Sequence, residues 1–182
     1  MSTLVVHPKD RSTDFLERAY SGMYCNVLRS FLPETLLCSM MMQSDRLVFM
    51  GHGLPSGLIG FDKLYIDCRY VSLFRGRDIF CVWCNADLFM EKHNLTGVCT
   101  GMIISEMEEA ADCGVNVTED ELLESNTLFA EALRVMVLQD EYDLSEFRSI
   151  YKGSSDVIKF NSDRVYIRKK GECLPGPETG GR

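Results

Sequence analysis

The sequence has no apolar run that approaches the roughly 20 residues of a membrane-spanning helix. Its opening residues, MSTLVVHPKD, hold only a short apolar run before His7 and Pro8, which does not predict a secretory leader. A basic stripe is also missing, and the formal net charge is −8. Surfaces that follow a phosphate backbone are positively charged, so nucleic acid is not an expected partner. We expect a cytoplasmic protein without a membrane or nucleic-acid partner.

The eight cysteines do not predict a disulfide scaffold. They are scattered through apolar segments of a chain with no export signal, a context that favours reduced thiols. Cys81 and Cys84 form a C-x-x-C pair, which suggests a redox pair or half of a zinc site. Side chains three apart on a strand point to opposite faces, however, and no second Cys/His pair supplies further ligands. We therefore predict no metal site and no cofactor.

The pattern of apolar runs predicts an α/β fold. A length of 182 residues with 46% hydrophobic content suits a single domain, residues 1–170, followed by a flexible Pro/Gly-rich tail, residues 171–182. Four apolar runs are predicted strands: residues 3–7, 24–28, 47–50 and 79–83. Helix signals alternate with them, as at residues 67–74, which predicts a doubly wound, mainly parallel sheet with helices on both faces. Later, Thr118 and Glu121 form a capping box, and residues 157–160 and 165–167 are expected to form a hairpin.

Two chemically capable residues follow neighbouring predicted strands. Gly51-His52-Gly53 ends the third strand and Cys84 ends the fourth, and in parallel α/β sheets ligands bind at such carboxyl ends. His52 and Cys84 are 32 positions apart, which leaves room for one crossover helix, so the two strands can be adjacent. Cys84 would then act as a nucleophile and His52 as its general acid/base. The backbone amides of Gly53 and Cys84 would form an oxyanion hole.

These residues resemble a known superfamily of cysteine peptidases, the caspases, metacaspases, gingipains and legumains. The resemblance lies in LVFMGHG at residues 47–53, IFCVWC at residues 79–84 and the longer VFMGHGLPSGLIG at residues 48–60. It implies a caspase-like fold, for which we expect the strand order 2-1-3-4 plus late strands. It also implies a His52/Cys84 dyad and an oxyanion hole from the Gly53 and Cys84 amides. Asp87 matches the aspartate that follows the caspase nucleophile.

Other positions match the superfamily less well. Arg11 follows the first strand as a substrate-binding arginine does in caspases, but beside Lys9 and Asp10 it is equally consistent with an ordinary loop charge. Val82 and Trp83 stand where caspases carry Gln-Ala and where metacaspases carry an aspartate two residues before the cysteine. Cleavage after a particular residue is therefore not predicted.

Each candidate residue also has a structural interpretation. A cysteine at a strand end is often a small buried hydrophobe, a histidine between glycines can serve a turn, and Asp87 can cap a loop. The acidic residues 106–112 are typical of a solvated helix face rather than a metal site. Two functions follow: a cysteine peptidase that cleaves peptide or protein substrates through an acyl-enzyme, or a catalytically inactive caspase-like domain that binds a protein partner.

Overall fold

The computed structural model describes residues 1–169, which form two sheets and their flanking helices. The strands are β1 (Thr3–Val6), β2 (Asn26–Leu28), β3 (Arg46–Met50), β4 (Gly53–Leu54), β5 (Gly57–Gly60), β6 (Lys63–Asp67), β7 (Asp78–Val82), β8 (Gly97–Thr100) and β9 (Val165–Arg168). The α-helices are α1 (Glu34–Met42), α2 (Val71–Phe74), α3 (Ala86–Lys92), α4 (Met107–Asp112), α5 (Glu119–Leu138), α6 (Leu144–Ile150) and α7 (Asp156–Ser162), and Arg11–Ala19 and Cys68–Tyr70 are 3₁₀ helices. No helix within this described range is long and apolar enough to cross a membrane. The predicted tail, residues 171–182, lies outside the described residues.

The central sheet has six strands in the order β2-β1-β3-β7-β8-β9. All neighbouring strands pair in parallel except β9, which runs antiparallel to β8. The predicted α/β class and mainly parallel sheet are therefore confirmed. The strands predicted at residues 24–28, 3–7, 47–50 and 79–83 correspond to β2, β1, β3 and β7, which are neighbours in that order. The exact numbering differs from the predicted 2-1-3-4 because the chain forms three more strands before β7, and these make a separate antiparallel sheet, β4-β5-β6.

Helices cover both faces of the central sheet, because successive residues of its strands enter different cores. Leu47 and Phe49 pack into one core with residues of α1, α2 and α3. Val48 and Met50 pack into the other with residues of α5 and α6. Side chains alternate across a strand, so a strand buried on both faces reads as a continuous apolar run.

The late hairpin predicted from residues 157–160 and 165–167 is wrong in its first half. Residues 157–160 belong to α7. The second predicted strand, residues 165–167, is present as β9, but it pairs with β8. Val157 and Asn161 are one helical turn apart and both are buried. The Asn161 side chain accepts from the Ile104 amide at 2.8 Å and donates to the Ile104 carbonyl at 2.9 Å. The helix therefore buries both side chains on one face, and the buried Asn161 amide is paired with the Ile104 backbone.

The helix predicted over residues 67–74 is also shorter than expected. Asp67 ends β6 and caps the 3₁₀ helix that follows, and only Val71–Phe74 is α-helical. The Thr118 and Glu121 capping box is confirmed and opens α5. The crossover between β3 and β7 therefore consists of the small second sheet and a short helical segment.

A buried ion pair aligns β3 with β7 at their amino ends. Arg46 is 2% exposed, stands opposite Asp78 in the sheet register and forms an ion pair with it. The Arg46 Nη2 also donates to the Gln139 carbonyl at 2.6 Å, which ties both strands to the end of α5. Because their amino ends are held level, the carboxyl ends of these two strands are level as well.

Candidate functional site

His52 and Cys84 follow two strands that are direct neighbours in the central sheet. Met50 of β3 stands opposite Val82 of β7, and the Gly51 amide donates to the Val82 carbonyl at 3.1 Å. Each candidate residue thus lies two positions beyond a paired residue, at the sheet edge where α/β proteins bind ligands. Both line one open cleft, whose volume of about 350 Å³ includes space open to solvent. The remaining wall of this cleft is mainly apolar and includes Phe15, Leu16, Ile103 and Phe129.

The His52 imidazole is hydrogen-bonded to the segment that follows β1. Its Nε2 lies 2.5 Å from the Ser12 Oγ, and the Ser12 Oγ lies 2.8 Å from the Asp10 Oδ1. Asp10 caps the first 3₁₀ helix and accepts the Ser12 amide at 3.0 Å. These hydrogen bonds from Ser12 lower the pKa of the Asp10 carboxyl, because they stabilise its charged form. His52 Nε2 is 3.9 Å from the same carboxylate oxygen.

The Cys84 thiol is hydrogen-bonded to the backbone of Ile103 and not to His52. It donates to the Ile103 carbonyl at 3.5 Å, and its sulfur lies 3.9 Å from the Glu109 Oε1. Burial raises the pKa of this thiol to about 11, and the Glu109 charge acts in the same direction. The thiol is therefore protonated at neutral pH. No hydrogen bond joins it to His52 within residues 1–169.

Glu109 is the other member of this arrangement. It stands in the first turn of α4, whose N-cap is Glu106. The Glu109 Oε2 accepts the Ser105 amide at 2.7 Å and the Glu106 amide at 3.1 Å, which completes a capping box. Glu106 and Glu108 are exposed, as expected for a solvated face, whereas Glu109 is half-buried and its second oxygen faces Cys84.

Trp83 fixes the loop that carries His52 against the strand that carries Cys84. Its indole Nε1 donates to the Leu54 carbonyl at 3.1 Å, and its side chain covers Gly53 so closely that any Cβ there would overlap it. The Ile59 amide donates to the His52 carbonyl at 2.8 Å, which makes Gly53 and Leu58 the non-hydrogen-bonded pair of the β4–β5 hairpin. The Gly53 amide is therefore not used in that ladder.

The Cys84 amide also donates to no group in the part of the chain that the structure describes. Asn85 follows it in a left-handed conformation, φ 64°, and its own amide donates to the Gly101 carbonyl at 3.1 Å. This turn separates Cys84 from α3 and leaves its amide at the end of the strand. Neither of the two amides assigned to an oxyanion hole has a hydrogen-bond partner among residues 1–169, but only Cys84 lines the cleft and Gly53 does not.

The weaker candidates do not join the cleft. Arg11 is exposed at the start of the first 3₁₀ helix and does not line the cleft. Asp87 lies in the first turn of α3, outside the cleft, and burial raises the pKa of its carboxyl. Val82 and Trp83 are 4% and 2% exposed, so they act as packing residues at the back of the cleft.

Sequence reasoning missed Asp10, Ser12 and Glu109. A signal was present for the first two: Asp-x-Ser is a helix-capping pattern, and it directly follows the strand that pairs with β3. The described residues contain no group of three or more His, Cys, Asp or Glu side chains arranged to hold a metal.

No family model, no curated protein and no solved structure matches this chain. Its function is therefore argued from the residues of the cleft themselves.

Proposed function

We propose that this chain is a caspase-like cysteine peptidase in which Cys84 attacks a peptide carbonyl and His52 transfers the protons. One observation carries the proposal: the two side chains line a single cleft at the carboxyl ends of adjacent parallel strands. Two such side chains, 32 positions apart in the sequence, line one cleft through tertiary folding, and this arrangement supports the proposed pair of nucleophile and base.

The raised pKa of the Cys84 thiol specifies the kind of mechanism. Because the thiol is protonated at neutral pH, His52 must take its proton as the Sγ–C bond forms. The thiol would first leave the Ile103 carbonyl and turn toward the imidazole. In this proposal the negative charge that develops on the carbonyl oxygen is stabilised by the Gly53 and Cys84 amides.

The second half of the proposed reaction returns the enzyme to its resting form. Collapse of the tetrahedral intermediate breaks the C–N bond, and His52 gives its proton to the leaving amine. Water then attacks the thioester while His52 takes a proton from it, and the carboxylic acid product leaves as the thiol regains its proton. The apolar wall of Phe15, Leu16 and Phe129 favours substrates with uncharged side chains near the scissile bond.

A second function is favoured by a different observation. The thiol is hydrogen-bonded to Ile103 instead of His52, and burial together with Glu109 raises its pKa. A thiol held in this way is typical of an unreactive cysteine. The second candidate is therefore a catalytically inactive caspase-like domain that uses the same cleft to bind a protein partner.

Covalent labelling distinguishes these two functions. The full chain is treated at pH 7.5 with peptidyl acyloxymethyl ketones that carry an apolar residue next to the reactive group, and labelled sites are read by mass spectrometry. The peptidase predicts labelling at Cys84 that is abolished in Cys84→Ala and slowed at least about a hundredfold in His52→Ala. The exposed Cys68 provides the background rate of an ordinary thiol, and His93→Ala is the matched histidine control. Labelling of Cys84 no faster than Cys68, and unchanged in His52→Ala, would support the inactive domain.

A further inference from the structure

The chain Asp10–Ser12–His52 joins the segment after β1 to the candidate base. Ser12 Oγ lies 2.8 Å from Asp10 Oδ1 and 2.5 Å from His52 Nε2, so it is within hydrogen-bond distance of both. A serine hydroxyl has one proton to donate and two lone pairs that accept. An ionised carboxylate can only accept, so the Ser12 proton goes to Asp10. The Ser12 oxygen must then accept from His52, and this requires a proton on Nε2.

We propose that Ser12 and Asp10 are positioning residues that hold His52 in the tautomer protonated on Nε2, leaving Nδ1 as the proton acceptor. Nδ1 has no hydrogen-bond partner within the described residues, while His52 itself lines the cleft. The tautomer of a histidine is set by the hydrogen bond that its other nitrogen makes. The Asp10 carboxylate oxygen that accepts from Ser12 lies 3.9 Å from Nε2, on the same side of the ring as the Ser12 hydroxyl.

Two simpler roles for Ser12 are less consistent with the geometry. As a nucleophile it would have to face the cleft, but neither Ser12 nor Asp10 lines it. As a helix cap alone, the Asp10–Ser12 pair would have no reason to contact a histidine 40 positions away. The chain provides a control for the capping role, because Asp143 caps α6 and accepts the Ser145 amide at 3.1 Å in the same Asp-x-Ser arrangement.

The tautomer is measured directly by long-range ¹H–¹⁵N NMR of the imidazole rings at pH 8, in the full chain. The chain has three histidines, and His52→Gln assigns the signal of interest. The expected result is one Nε2-protonated form in the wild type and in Ser12→Thr, and a mixture of tautomers in Ser12→Ala. Ser145→Ala is expected to leave the His52 signals unchanged. A wild-type His52 protonated on Nδ1, or a Ser12→Ala spectrum identical to the wild type, overturns the proposal.

The catalytic consequence rests on the proposed peptidase function, whereas the tautomer does not. Ser12→Ala is expected to slow the maximal labelling rate of Cys84 on the order of tenfold to a hundredfold, because it removes the hydrogen-bond partner of a functional histidine. The probe concentration that gives half of the maximal rate should change little. Ser12→Thr should restore most of the rate. If the wild type is not labelled at all, the peptidase function fails while the NMR result still decides the tautomer. Normal labelling of Ser12→Ala at the wild-type rate overturns the positioning role.

Discussion

Gly53 is the residue at which a single methyl group tests how the candidate site is assembled. A Cβ added there would lie 2.8 Å from the Trp83 Cβ and would overlap the indole ring beyond it. The Trp83 Cβ is attached to the backbone of the strand end, so it cannot turn away by changing its rotamer. Trp83 is 2% exposed, and its ring packs edge-on against Phe89 with centroids 5.6 Å apart. Gly53→Ala must therefore displace the hairpin that carries His52.

The magnitude of this effect follows from three terms. Overpacking in a rigid environment costs about 1–3 kcal/mol. Displacing the hairpin also weakens the hydrogen bond from Trp83 to the Leu54 carbonyl, which is worth about 1 kcal/mol. Alanine recovers roughly 0.5 kcal/mol by restricting the unfolded chain. We expect Gly53→Ala to lower the free energy of unfolding by about 1.5–3.5 kcal/mol, and to lower Tm by about 3–14 °C.

Urea unfolding followed by fluorescence measures this contact closely, because Trp83 is the only tryptophan of the chain. The control is Gly101→Ala, where a Cβ would meet its nearest neighbour at an ordinary 3.5 Å. Its free energy of unfolding should lie within about 0.5 kcal/mol of the wild-type value. In a Trp83→Leu background, followed by circular dichroism, the cost of Gly53→Ala should fall by at least about 1 kcal/mol. If Gly53→Ala is as stable as Gly101→Ala, the close packing described for the hairpin is refuted.

Two other variants test charges near and away from the cleft. Glu109→Gln removes the charge beside the Cys84 thiol and should lower its pKa, so alkylation by iodoacetamide at pH 8 should rise by roughly a factor of three. Glu121→Gln, the same capping position in α5, should leave that rate unchanged, and equal rates in the two variants would contradict the assigned contact. Burial lowers the pKa of His7 to about 4, so between pH 6.5 and 4 the unfolded chain binds a proton there that the folded chain does not, and stability falls as pH falls. The free energy of unfolding, measured in urea, should fall by about 2 kcal/mol between pH 7 and pH 5 because of this group. His7→Gln should abolish that part of the pH dependence.

Part of the fold was predictable from local patterns. Residues 47–50 and 79–83 are apolar throughout, and a strand buried on both faces of a parallel sheet has this composition. The Thr118/Glu121 capping box is likewise a contact between residues three apart, so its signal is complete within a few positions. The α7 segment was predicted to be a strand because its apolar residues alone do not distinguish a strand from a helix. The hydrogen bond between Asn161 and the Ile104 backbone joins residues 57 positions apart, so it has no local signal.

The sequence by itself determined that His52 and Cys84 lie just beyond the ends of apolar strands, because strand identity and strand ends depend on neighbouring residues. Only the tertiary structure decided what each side chain contacts. The His52 imidazole is bound to Ser12, 40 positions away, and the Cys84 thiol to Ile103, 19 positions away. Such contacts depend on how loops from different strands pack over one sheet edge, and burial there raises the pKa of the Cys84 thiol. For that reason the positions of the two residues relative to the strands were predictable, but their hydrogen-bond partners were not.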